Sequence, residues 1–65
     1  MKILLNGDAL EVDAVRLDAA LAELGYADAI VATALNGEFV PRGERPAVTL
    51  RDGDRLEVLA PLQGG

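Results

Sequence analysis

Leu17-Asp18-Ala19-Ala20-Leu21-Ala22-Glu23-Leu24-Gly25 is the stretch on which the fold turns. Leu17, Ala20, Leu21 and Leu24 recur at i, i+3, i+4 and i+7, the apolar stripe of one α-helix face, and Gly25 follows as the residue that can take a left-handed C′ conformation. The spacing predicts a helix from about Leu17 to Leu24. So short a helix is not stable alone and must lay its leucine stripe on a sheet. Asp18 suits the positive N-terminal end of the helix dipole, whereas Arg16 is a poor capping residue, which leaves Asp13 as the candidate cap.

Outward from the helix the period falls to two on both sides. Toward the N-terminus, Ile3-Leu4-Leu5 and Leu10-Glu11-Val12 flank Asn6-Gly7, a strong signal for a two-residue type I′ turn. Because Ile3 to Leu5 is apolar throughout, the first strand is expected inside the sheet rather than at its edge. Toward the C-terminus, Ile30 to Leu35 and Glu38-Phe39-Val40-Pro41 flank a second Asn-Gly pair, Asn36-Gly37. Pro41 has no N–H to give a ladder, so it ends this strand or places it at an edge. Phe39, a lone aromatic in a strand, is expected in the core; facing outward, it would seed an apolar docking patch.

Arg42 to Pro46 reads as a polar connection without helical period, and Val48-Thr49-Leu50 returns to the core. Asp52-Gly53-Asp54 lacks the further spaced oxygen ligands of a calcium loop and reads as a turn. Arg55 to Ala60 alternates and reads as the last strand, able to pair beside the first at the centre of the sheet. Hairpin, helix, hairpin and final strand make an α+β domain, a mixed sheet with one helix across one face. Residues 1-60 form that domain, and residues 61-65 are expected to form a flexible C-terminal tail.

Composition excludes more than it suggests. Sixty-five residues make one domain, too small for a deep internal active site. Cysteine, histidine and serine are all absent, so disulfides, the commonest zinc ligands, and Ser-His-Asp or Cys-His nucleophilic constellations cannot be assembled. A net charge of −5 and one Tyr with one Phe argue against nucleic acid and favour a basic protein partner. No apolar run is long enough to span a bilayer and no signal peptide is evident, so a cytoplasmic protein that does not engage membranes is expected.

What remains is the end of the chain, Ala60-Pro61-Leu62-Gln63-Gly64-Gly65. Pro61 closes the last strand, and Pro61 to Gly65 could reach ~16–18 Å if extended. A Gly-Gly end fits a channel too narrow for any Cβ. The free carboxylate of Gly65 is the one unusual chemical group available.

Asn36-Gly37-Glu38-Phe39-Val40-Pro41-Arg42, Leu50-Arg51-Asp52-Gly53-Asp54-Arg55-Leu56-Glu57-Val58 and the terminal Gln63-Gly64-Gly65 together resemble the ThiS family, the sulfur carrier proteins of thiamine biosynthesis. The resemblance covers essentially the whole chain and implies a ubiquitin-like β-grasp fold. It implies that an E1-like, ThiF-like adenylyltransferase uses MgATP to convert Gly65 to an acyl adenylate. Sulfur from a donor such as a cysteine desulfurase then replaces AMP and leaves a thiocarboxylate, which a ThiG-like thiazole synthase consumes. The chain would be a co-substrate rather than an enzyme, with no bound cofactor and no metal. Ordering five tail residues would cost roughly 5–10 kcal/mol of backbone entropy, so the folded surface is expected to share in docking. Gly64, Gln63, Leu62 and Phe39 are the candidate partner-binding residues. The chain departs from the family pattern at Glu44-Arg45-Pro46, where many relatives carry an aromatic, and at the helix start, which lacks a small polar cap.

Three alternatives share this fold. The small subunit of molybdopterin synthase also ends in Gly-Gly but tends to be longer. A ubiquitin-like modifier would form conjugates visible as slower-migrating bands. A non-covalent β-grasp interaction module would tolerate an extra residue after Gly65, which a carrier would not.

Overall fold

The computed structural model describes residues 1–60. Five strands form one mixed sheet in the order β2-β1-β5-β3-β4: β1 Lys2–Leu5, β2 Asp8–Glu11, β3 Ala32–Leu35, β4 Glu38–Val40 and β5 Arg55–Leu59. One helix, α1, Leu17–Glu23, lies between the two hairpins in sequence. This is the ubiquitin-like β-grasp arrangement. The last strand sits at the centre, parallel to β1 and antiparallel to β3, and β4 is an edge.

Both Asn-Gly pairs make the expected hairpins. Asn6 and Asn36 sit at φ 49 and 51, and Gly7 and Gly37 follow at φ 91 and 86. Positive φ at both central residues is what a type I′ turn demands, and Asn and Gly tolerate it best. Parity then sorts the side chains. Ile3, Leu56 and Val58 point to one face and pack with Leu17, Ala20 and Leu21 of α1 in the core.

The helix ends as the spacing predicts. Leu24 is the C-cap and Gly25 takes φ +95, while the Gly25 N–H donates to Ala22 O and the Tyr26 N–H to Leu21 O, a Schellman motif. Its start differs from expectation. Asp13 does not cap it; Arg16 occupies the N-cap position with no side-chain cap bond, and the Leu17 N–H instead donates to Val48 O at 2.9 Å. A carbonyl from residues 48–50 thus does the work of a polar cap, in a segment held further by a Leu50 N–H to Val15 O bond of 2.7 Å.

Three further expectations are corrected. Ile30 and Val31 do not join β3, because its partner β5 ends at Leu59, opposite Ala32; Ile30 is 79 % exposed. The last strand stops at Leu59 rather than Ala60. Arg42 to Pro46 is not irregular but lies in a 3-10 helix, Arg42–Ala47, entered from Pro41. Its Arg45 is buried, donating from Nε to Thr33 Oγ1 at 3.0 Å and from Nη2 to Val31 O at 2.7 Å. Asp52-Gly53-Asp54 is a turn whose carboxylates accept backbone N–H groups, Asp52 from Lys2 and Asp54 from Arg51.

Candidate functional site

Strand parity builds the candidate site on the sheet face away from α1. In β5, Leu56 and Val58 are buried, so Arg55, Glu57 and Leu59 face outward. The antiparallel registers place Ala32 opposite Leu59, and Ala34 opposite both Glu57 and Phe39. Two small alanines on the intervening strand therefore leave a shallow trough between two large apolar side chains. The trough has a volume of about 260 Å³ and is lined by Ala32, Ala34, Phe39, Glu57 and Leu59.

Phe39 is thus not a core residue. It is 68 % exposed, and Leu59 is 71 % exposed. The reason is register: Val40, its neighbour, pairs with Thr33 and is buried, which forces Phe39 to the opposite face. Leu59 was missed in sequence, although the alternation that puts Leu56 and Val58 inside assigns Leu59 outside by the same count. A trough rimmed by an aromatic and a leucine and open to solvent can accept an apolar side chain from another protein.

Toward the start of β5 the same face opens into a depression of about 500 Å³ between the two Asn-Gly turns, lined by Leu4, Asn6, Arg55 and Glu57. The side-chain amides at its rim are already committed: Asn6 bonds to Val58, and Asn36 to Arg55 N–H and to Asp54 Oδ1. It lies at the end of β5 remote from Leu59.

Of the candidate binding residues, the structure places Phe39 on β4, across β3 from Glu57 and Leu59 of β5. Leu62, Gln63, Gly64 and Gly65 lie outside the described residues. Among those described, no group of three or more His, Cys, Asp or Glu side chains is arranged to hold a metal ion, and no helix is long and apolar enough to cross a membrane. One carboxylate is perturbed. Backbone N–H groups of Asp13 and then Ala14 donate to Glu23 and hold its pKa below the ordinary value of 4.5, in a loop contact remote from the trough.

Comparison with known proteins agrees with this architecture. A crystal structure of the thiamine biosynthesis protein ThiS from Geobacter metallireducens superposes with a TM-score of 0.84 at 35 % identity, covering 100 % of both chains. A solution structure of a thiamine biosynthesis protein from the same organism gives a TM-score of 0.82 at 33 % identity, covering 100 % of this chain and 88 % of that one. A curated thiazole synthase of Paramagnetospirillum magneticum is 38 % identical over 66 residues, 100 % of this chain but 20 % of that protein. The chain therefore spans about a fifth of the length of that relative. The family model for ThiS matches residues 3–65, and with it the two hairpins, the helix between them and the central last strand have their explanation: the chain belongs to the ThiS family.

Proposed function

We propose that the chain is a covalent sulfur carrier in thiamine biosynthesis, with the carboxyl group of Gly65 as its acyl end. A free α-carboxyl group has a pKa of about 3.3–3.7, so at neutral pH it is an anion that resists nucleophilic attack and must be activated. An E1-like adenylyltransferase supplies the activation. A carboxylate oxygen attacks the α-phosphorus of MgATP, pyrophosphate leaves, and the acyl adenylate forms. The terminal sulfur of a persulfide, passed on by a donor such as a cysteine desulfurase, then attacks the acyl carbon and AMP leaves. A thiol attacks the donor-side sulfur of the resulting acyl disulfide, which leaves a disulfide on the donor side and frees the thiocarboxylate. A thiazole synthase takes the sulfur into its ring. The chain performs none of these steps itself and binds no cofactor.

The observation that carries this reading is the setting of β5. It is hydrogen-bonded on both sides and runs to Leu59 beside the Phe39 trough, so the residues leading to Gly65 start from a rigid strand next to an apolar docking surface. Family membership supports the chemistry. The absence of cysteine, serine and histidine supports it too, since no side chain here is suited to carry sulfur covalently. The relative from Paramagnetospirillum magneticum, a thiazole synthase that includes a stretch similar to this whole chain, supports a thiazole synthase as the acceptor. Phe39, with Leu59, docks the adenylyltransferase, and Leu62, Gln63 and Gly64 thread its channel.

Intact-mass analysis tests the proposal. After incubation with adenylyltransferase, MgATP and a sulfur source, protein ending at Gly65 gains about 16 Da, sulfur for oxygen. Protein with one residue appended after Gly65 gains nothing. An unchanged mass in the first case, with a partner shown to be active, removes the carrier reading.

A further inference from the structure

We propose that the cleft between α1 and the 3-10 helix is an oxyanion-binding site, with Arg45 and Arg42 as its two cationic arms. The cleft lies on the α1 side of the sheet, opposite the trough, and is separate from the carrier function.

Arg45 is the only buried charged side chain among the described residues, with 8 % of its surface exposed. A buried cation is normally paired with a carboxylate, because neutral acceptors offset only part of its lost hydration. Here the acceptors are neutral: Thr33 Oγ1 for Nε and Val31 O for Nη2. The two ion pairs among the described residues, Met1 with Glu11 and Arg16 with Asp18, do not include it. Nη1 has no partner among the described residues, yet no fully sealed side-chain nitrogen or oxygen lacks one, so Nη1 keeps some access to solvent, and Arg45 is one of the residues that line the cleft.

Arg42 comes to the same place by geometry. Side chains three apart on a 3-10 helix eclipse one another, which puts Arg42 and Arg45 on one side of the Arg42–Ala47 turn. Both line a cleft of about 210 Å³, closed on its other side by Leu21 and Tyr26. That volume is below the roughly 300–1,000 Å³ of clefts that hold drug-sized ligands, so the site takes a group of few atoms. The one carboxylate on the rim, Asp18, is already engaged, accepting from Arg16 Nε at 3.0 Å and from the Ala19 N–H at 2.8 Å. Two guanidiniums without a carboxylate partner, one of them largely stripped of water, match a phosphate or carboxylate, whose oxygens accept from a planar fork. The group is either a free oxyanion or the carboxylate of an acidic side chain on a partner protein.

The test is a nitrogen-proton correlation NMR titration of the full chain at low ionic strength, with inorganic phosphate in one series and acetate in another. The Arg45 Nε–Hε signal and the amides of Tyr26 and Arg42 shift and saturate with phosphate in the millimolar range. Arg42→Gln, at an exposed position that does not disturb the core, weakens saturation by about tenfold, the loss of one charged fork. Saturation by both anions points to a partner's carboxylate, and saturation by phosphate alone to a free phosphate; either supports the site. No saturable shift with either anion, or equal affinity in Arg42→Gln, overturns it. The mass gain at Gly65 in the same variant reads the carrier function separately.

Discussion

The side-chain amide of Asn6 is clamped to the backbone of Val58, 52 residues away: Oδ1 accepts from the Val58 N–H at 2.9 Å and Nδ2 donates to Val58 O at 3.2 Å. The Asn6 N–H itself bonds Leu56 O at 2.9 Å, so the amide supplies the next rung of a ladder whose backbone has already turned away. Asn36 does the same from the other side, taking the Arg55 N–H on Oδ1 at 2.9 Å. The residue that makes each turn possible also fastens the turn to the central strand.

Asn6→Ala therefore loses two bonds to a half-buried backbone and forces alanine into a left-handed conformation. A loss of about 2–3 kcal/mol is expected in urea denaturation. Asn6→Gly keeps the turn and loses the clamp, and should cost about 1 kcal/mol less. Wild-type stability in both variants would show that the amide does not hold β5.

Thr33 is 1 % exposed and its hydroxyl joins two elements, donating to Val40 O at 2.9 Å and accepting from Arg45 Nε. Thr33→Val matches its shape but leaves the Arg45 Nε–H without its acceptor inside the protein and removes the hydroxyl's bond to Val40 O. The variant should be less stable by about 2–3 kcal/mol, and Thr33→Ser by less, since the hydroxyl remains. The order of the two denaturation midpoints decides the matter; the reverse order would assign the stability to the methyl group.

Glu23 provides a pH dependence. Its carboxylate accepts from the Asp13 and Ala14 N–H groups and its pKa is lowered in the fold, so its contribution is present above the ordinary value of 4.5 and is lost as pH falls through the folded value. Glu23→Gln should melt below wild type at pH 7, with the gap closing on acidification below 4.5. A gap that persists unchanged at the lowest pH would mean that charge is not what stabilises the loop.

Phe39 separates docking from folding. It is 68 % exposed, so Phe39→Asp should leave stability within about 0.5 kcal/mol of wild type. If the trough receives the adenylyltransferase, binding by calorimetry should weaken by about tenfold or more. Full affinity in a well-folded variant would move the docking surface elsewhere.

Most of the fold was legible because Asn-Gly and Leu17-Gly25 encode their conformations locally: positive φ in two turns, one apolar stripe, one left-handed stop. What was not legible depends on partners distant in sequence. The helix start is satisfied by Val48 O rather than by a neighbour such as Asp13, and β3 begins where β5 runs out rather than where the apolar run begins. The 3-10 helix escaped because six residues containing Gly43 and Pro46 show no period, and its anchor is the reach of Arg45 to Thr33. At the candidate site, Phe39 needed the pairing of Val40 with Thr33 to reveal its side, while Leu59 was available from parity alone.

The position of β5 also sets an order on synthesis. Until Arg55–Leu59 has left the ribosome, β1 and β3 lack their shared neighbour, and the two hairpins are separate pieces with raw edges. A chain stopped before Arg55 consequently has no middle to its sheet. Closure of the sheet therefore waits on β5, the last strand among the described residues.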